Sequence, residues 1–284
     1  MDSICRAATS RMDGHSAVVG VSSAGRWRTR SLRPARKPGL RLTGFVALAL
    51  ASLGAALAQP ADDFGVTSRT PPAAPNVHPG PRYSPRLRVW QGIPSIERTA
   101  HGRLWATWYG GPIIEGQRGE GNYALLVTSD DDGRTWSPPV AVYDATPFFG
   151  GITLDPHLWI DPAGRLWWFV NRVLPVKDPN GPYSVWGFCT DEPDAPAPKW
   201  HPPVFAGYGS ALNKPTVLSN GDWLRPVDTF DKTDPERTRF WVSRDQGKTF
   251  SFLAKTPIKD GSFSEQMVVE RRDLQLMPFL PKRH

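Results

Sequence analysis

The sequence predicts an all-β protein of short antiparallel hairpins, repeated along the chain. Three observations predict it. Of 284 residues, 30 are Pro and 26 are Gly, a density that interrupts long helices and argues against a bundle or coiled coil. Apolar residues make up 39%, with 12 Trp, 13 Phe and 6 Tyr, too much apolar and aromatic material for a disordered chain. From Trp90 onward the same hairpin pattern returns about every 50 to 65 residues, a period that points to propellers or solenoids.

Residues 1–58 read as an export signal with an extended basic n-region. Between Arg6 and Arg41, the cations Arg6, Arg11, Arg26, Arg28, Arg30, Arg33, Arg36, Lys37 and Arg41 face the single acid Asp13. An apolar run, Leu42 to Ala58, follows and ends in Ala56-Leu57-Ala58, a small-x-small site that suits a signal peptidase. Cleavage after Ala58 would leave an exported chain, periplasmic or extracellular, with no stable membrane association. The alternative is an uncleaved N-terminal membrane anchor, because the run is near the lower length limit for a span.

The formal charge of +7, from 34 Lys and Arg against 27 Asp and Glu, is concentrated in this segment. The rest is near neutral and has no basic motif interleaved with aromatics, so no nucleic-acid partner is expected. Cys5 lies in the signal and Cys189 beyond it; a mature chain with one Cys has no internal disulfide and depends on packing. Residues 59–86 are Pro-rich and polar and read as a linker or extended lead-in, and residues 87–284 as the folded part.

Each repeat opens with two strands joined by a Gly turn. The first strands run through Ile93-Pro94-Ser95-Ile96, His157-Leu158-Trp159-Ile160 and Pro215-Thr216-Val217-Leu218. The turns are His101-Gly102, Ala163-Gly164 and Asn220-Gly221, and the second strands are aromatic or β-branched: Leu104 to Thr107, Leu166 to Val170 and Trp223 to Val227. A second hairpin completes each unit. Two of its turns share the pattern S-x-D-x-G-x-T-aromatic: Ser129, Asp131, Gly133, Thr135 and Trp136, then Ser243, Asp245, Gly247, Thr249 and Phe250. The Asp accepts from turn amides, the Gly supplies a positive φ, the Thr hydroxyl closes the turn, and the aromatic tucks beneath it. Cys189-Thr190-Asp191-Glu192-Pro193, leading to Lys199-Trp200, looks like a degraded copy.

These two turns, in register with the repeat, resemble the Asp boxes (BNR repeats) of the sialidase superfamily, over roughly Trp90 to Glu270. The resemblance implies a β-propeller of four-stranded antiparallel blades, six in the family, with the Asp boxes on the rim away from the pocket. Asp131 and Asp245 are then structural. At the observed period a six-bladed ring needs roughly 330 residues, so about three to four blades are expected here and the chain reads as C-terminally truncated, an incompleteness that could leave this copy inactive.

In a propeller the starts of the inner strands and the exits of the second strands meet at one mouth. That rule nominates Gln91, Asp155, His157, Asn213 and Lys214 from inner-strand starts. It nominates Tyr109, Arg172 and Asp228 from second-strand exits. Together they are substrate-binding candidates for a glycan or other carbohydrate, with His157, Arg172 and Lys214 suited to an acidic sugar. Ser264-Glu265-Gln266-Met267-Val268-Val269-Glu270 is similar to the sialidase segment whose first Glu activates the nucleophilic Tyr, which makes Glu265 the catalytic candidate. Two departures stand against sialic-acid release. Gly92-Ile93-Pro94 lacks the Arg of the family's Arg-Ile-Pro motif, and the acid/base Asp has only positional stand-ins, Glu115 and Glu120.

No cluster has metal-ligand spacing and no nucleotide or nucleophile-elbow motif occurs, so neither metal nor cofactor is expected. Three functions follow. The first is an exported exo-glycosidase of sialidase type acting on sugar termini. The second is a non-catalytic carbohydrate-binding propeller, and the third a scaffold without a sugar role.

Overall fold

A computed structural model describes residues 70–112, 121–149, 151–174, 183–231, 234, 236–256, 265–273 and 275–279. The export signal with Cys5, the first part of the lead-in, Glu115 and Glu120 lie outside the described residues. All the described residues belong to one compact unit.

The described chain is nearly all β. Blade 1 is the meander β1 (Trp90–Arg98), β2 (Leu104–Gly111), β3 (Tyr123–Ser129) and β4 (Ala141–Asp144). After a single helical turn, Thr146–Phe149, blade 2 follows as β5 (Ile152–Ile160), β6 (Leu166–Val173), β7 (Tyr183–Thr190) and β8 (Val204–Tyr208). Blade 3 is β9 (Thr216–Val217), β10 (Trp223–Asp228), β11 (Thr238–Ser243) and β12 (Ser251–Thr256). β13 (Met267–Glu270) and β14 (Leu276–Phe279) form a two-stranded sheet. Every pairing is antiparallel between consecutive strands, which short hairpin turns permit without crossovers.

The sheets stand side by side with their first strands innermost. β1 lies against β5, and β9 against β13. Ser95 Oγ accepts from Leu158 N (3.0 Å), and Thr216 Oγ1 donates to Val268 O (2.6 Å), so inner strands bond directly across blades. Lys214, just before β9, pairs with Glu97 of β1. The inner strands of blades 1 and 3 therefore converge on a common axis.

Strand alternation builds the core between blades. On β6, Trp168 and Val170 face blade 1 and pack with Trp105, Leu126 and Tyr143. Trp167 and Phe169 face blade 3 and pack with Trp223, Val227 and Trp241. Two of these indoles place their N–H on an acceptor: Trp168 Nε1 donates to Thr107 Oγ1 (2.9 Å) and Trp105 Nε1 to Pro193 O (3.0 Å). Cys189 of β7 is buried in the layer between blades 2 and 3, where desolvation pushes its thiol up to about 12.

The S-x-D-x-G-x-T turns close the second hairpins of blades 1 and 3 with near-identical geometry. Ser129 Oγ donates to Asp131 Oδ1 (2.8 Å), and Thr135 N and Oγ1 donate to the two oxygens of Asp131 (2.8 and 2.6 Å). Ser243, Asp245 and Thr249 repeat this at 2.8, 2.9 and 2.6 Å. The aromatics differ. Phe250 is 7% exposed and joins the core between blades 2 and 3, whereas Trp136 is 41% exposed. Trp136 lies over its own Gly133, and among the described residues no blade flanks that face of blade 1.

Blade 2 has no such box, and its inner hairpin carries an unexpected counterpart. Asp161 accepts from Ala163 N (2.9 Å), Arg165 N (3.0 Å), Arg165 Nε (2.6 Å) and Trp167 Nε1 (2.9 Å). Asp161→Ala is expected to cost roughly 3 kcal/mol, because it strands a buried indole N–H and two turn amides; the shift of the urea midpoint at constant m measures it.

The described part of the lead-in, from residue 70 onward, is docked on blade 1. Pro81–Tyr83 and Pro85–Leu87 form 3-10 turns with Pro at the first position. Tyr83 is buried edge-on against Tyr123 (4.8 Å), and Arg82 and Tyr83 both bond Asp144 Oδ2 (2.7 and 3.1 Å). Asn76 bridges Val142 of β4, so this segment covers the outer edge of blade 1, where an open strand would otherwise invite pairing.

Candidate functional site

One end of the axis concentrates backbone strain. Outside the two S-x-D turns, the non-Gly residues of positive φ among those described are Ile93 (51°), Asp155 (44°) and Phe230 (58°). Ile93 and Asp155 each precede a Pro, on β1 and β5, and each sits at a bulge where the register of the inner strand shifts. A left-handed conformation is costly for a branched residue and is disfavoured again before Pro. Strain of this kind persists only where surrounding packing fixes it, and it gathers at functional sites.

The packing that fixes it is aromatic. Tyr109, Leu154 and Tyr183 form a buried cluster flanked by Trp90, Ile93 and Phe230, joining residues of all three blades. Trp90 and Tyr109 rings lie 4.8 Å apart, and Tyr183 and Phe230 rings 4.9 Å. A Cβ on Gly92 would come within 2.2 Å of the Trp90 indole. The position where the resemblance expects an Arg is therefore closed by a ring.

The nominated residues divide into distinct groups. Asp155 sits at the β5 bulge with its carboxylate 3.5 Å from Asn171 Nδ2. Its charge is the second cause, after burial, that pushes the Tyr109 phenol up; that hydroxyl meets no partner among the described residues. Gln91 is exposed and accepts from Trp108 Nε1 (2.7 Å). Glu265 is exposed, and its backbone is pinned to the mouth of blade 3 by Asn213, whose Nδ2 donates to Glu265 O (2.8 Å) and Gln266 O (3.1 Å). Lys214 is turned toward Glu97.

Others serve the joints between blades. By strand register, Tyr109, Asn171 and Asp228 occupy equivalent places at the exits of β2, β6 and β10, and each reaches forward to the next blade. Tyr109 packs on Leu154. Asn171 Nδ2 donates to Ser210 Oγ (2.6 Å) and Ala211 O (3.0 Å), and its Oδ1 accepts from Ala211 N (3.1 Å). Asp228 accepts from Gln266 Nε2 (3.0 Å) and Phe230 N (2.7 Å) and pairs with Arg237; burial pushes its carboxyl up against the pull of these donors. Arg172 lies elsewhere, between blades 1 and 2: its Nη2 donates to Thr70 O (2.9 Å) and its guanidinium covers the Trp186 ring at 5.1 Å.

His157 is buried between blades 2 and 3, stacked on Phe169 at 5.3 Å, with Nδ1 3.3 Å from Asp155 O and Nε2 3.0 Å from Arg225 Nη1. Arg225 was not nominated from sequence, whereas Gln266 was, beside Glu265 at the start of an inner strand. Alternation on β10 carries the signal for Arg225, since it shares a face with Trp223 and Val227. Among the described residues no group of His, Cys, Asp and Glu could hold a metal ion, and no helix is long and apolar enough to cross a membrane.

Fold and mouth together define an all-β, propeller-type protein of four-stranded antiparallel blades. No protein-family model matches the sequence, and no curated protein is significantly similar to it. Solved structures do match. A protein of unknown function from Dyadobacter fermentans DSM 18053 is 16% identical, with a TM-score of 0.53, over 67% of this chain and 61% of that one. A Hadza microbial sialidase is 18% identical over 57% and 33% (TM-score 0.40). A family 117 glycoside hydrolase of the marine bacterium Zobellia galactanivorans is 14% identical over 69% and 65% (TM-score 0.44). The first likeness is one of fold, and this chain spans about three fifths of that protein's length.

Proposed function

We propose that the axial mouth binds the end of a glycan and hydrolyses its glycosidic bond, with Asp155 and Glu265 as the acting carboxylates. The observation that carries this reading is the strained Asp155, held in a left-handed turn before Pro156 beside an aromatic cluster drawn from three blades. Aromatic faces suit sugar rings, and a pair of carboxylates is the usual equipment for glycoside cleavage. The S-x-D-x-G-x-T turns and their resemblance to sialidase Asp boxes support it. In this reading the chain is exported and residues 1–58 are its signal.

Turnover of arylglycosides by the full chain tests it. Glu265→Gln and Asp155→Asn are each expected to lower turnover at least ~100-fold, while Asp132→Asn on the far rim leaves it unchanged. A chain that neither binds a glycan array nor hydrolyses any arylglycoside overturns the reading.

A second reading, carbohydrate binding without catalysis, is favoured by the Trp90 ring over Gly92, which fills the place of the family's substrate-gripping Arg. Glycan binding that persists in Glu265→Gln, with no turnover in the wild type, would select it.

A further inference from the structure

On β10, Trp223, Arg225 and Val227 point together into the core between blades 2 and 3. The middle one is a fully buried guanidinium. Among the described residues no carboxylate lies within ion-pair distance of it, and its Nε and Nη2 meet no acceptor. What it does meet is specific: its Cζ lies 3.8 Å over the Phe169 ring, and its Nη1 is 3.0 Å from His157 Nε2.

A guanidinium only donates hydrogen bonds. His157 Nε2 must therefore be the acceptor, which leaves the imidazole proton on Nδ1. That nitrogen lies 3.3 Å from the carbonyl oxygen of Asp155, the strained residue at the mouth. The charged groups acting on the ring are Arg225 from β10 and Lys214 from the start of blade 3, both cationic; the Asp155 carbonyl is the opposing influence. Burial first and Arg225 second hold the imidazole neutral, with its pKa well below the ordinary histidine value.

We infer that Arg225 is a positioning residue, which fixes the Nδ1–H tautomer of His157 and through it the orientation of the Asp155 turn that carries a carboxylate to the mouth. The value of that carboxylate to catalysis rests on the function proposed above; the hydrogen-bond chain does not.

Nitrogen NMR of the 15N-labelled full chain tests it, with the His157 signal identified by its loss in His157→Gln. The wild type is expected to show a protonated Nδ1 and a bare Nε2, unchanged between pH 8 and pH 5. Arg225→Lys keeps one donor and should preserve the pattern. Arg225→Met should move the proton to Nε2 or let the ring titrate, and should lower kcat on an arylglycoside at least 10-fold with KM little changed. A wild-type ring protonated on Nε2, or titrating between pH 5 and 8, overturns the inference, as does a folded Arg225→Met with an unaltered imidazole. Should the Met variant not fold, the wild-type and Lys spectra decide alone. The expected tautomer in a protein that hydrolyses no glycoside would sink the proposed function and leave the hydrogen-bond chain standing.

Discussion

Gly247→Ala is expected to destabilise the protein by roughly 4 kcal/mol, and Gly221→Ala by about 1 kcal/mol. Both glycines have the same left-handed backbone, φ 88° and 87°, so Ala meets a similar conformational penalty at each. Their surroundings differ. Nothing lies within 4 Å of a Cβ on Gly221, whereas on Gly247 it would meet the Trp223 ring at 2.4 Å and the Trp167 ring at 2.5 Å. Those rings belong to the core between blades 2 and 3, and moving them means reopening that layer. Urea unfolding followed by Trp fluorescence compares the two variants. Equal losses would show that the turn alone matters and that the outer turn of blade 3 is not wedged against blade 2.

Acid should weaken the fold well before its carboxylates are titrated. His157 has a folded pKa far below the ordinary histidine value of 6.5, through burial and then Arg225. A base whose folded pKa is lowered binds its proton more readily in the unfolded chain. Its contribution is therefore fully present above pH 6.5 and is lost as the pH falls toward the folded pKa. The slope approaches about 1.4 kcal/mol per pH unit below pH 6.5.

The turn carboxylates act in a lower window. Hydrogen bonds from Thr135 and Ser129 hold Asp131 at about 2; burial works against Asp245, yet Thr249 and Ser243 hold it below its ordinary value. Their contribution disappears only below about pH 3.8. Asp228, raised by burial, works in the opposite sense and gains as it protonates. Denaturant midpoints of wild type and His157→Gln from pH 7 to pH 4.5 isolate the histidine. Parallel curves for the two would mean that the imidazole is not held neutral.

The blades were legible in the sequence because their turns are local. Each of the five turn glycines identified, Gly102, Gly133, Gly164, Gly221 and Gly247, takes a positive φ, and a hairpin whose turn is encoded by two residues needs no distant information. The mouth was harder to read. Ile93-Pro94 and Asp155-Pro156 stand in the sequence as strand residues, and the rule for a residue before Pro predicts extended backbone, the opposite of what packing imposes there.

Arg172 was misplaced for a related reason. It is one residue beyond Asn171, and that single step turns a side chain from blade 3 to blade 1. The contact between His157 and Arg225 joins residues on different blades, so no spacing along the chain announces it. In each case the missing information lies in which face of a strand a neighbouring blade covers.

Repeat proteins commonly fray from an end, because each module depends only on its neighbour's surface. Here the forward reach of Asn171 to Ala211 and of Asp228 to Gln266 ties a side chain at a second-strand exit of one module to the lead-in of the next. Opening a single module would break buried polar bonds in two places as well as an aromatic layer. Amide exchange in the three sheets should accordingly collapse onto one shared opening energy, as in an undivided domain.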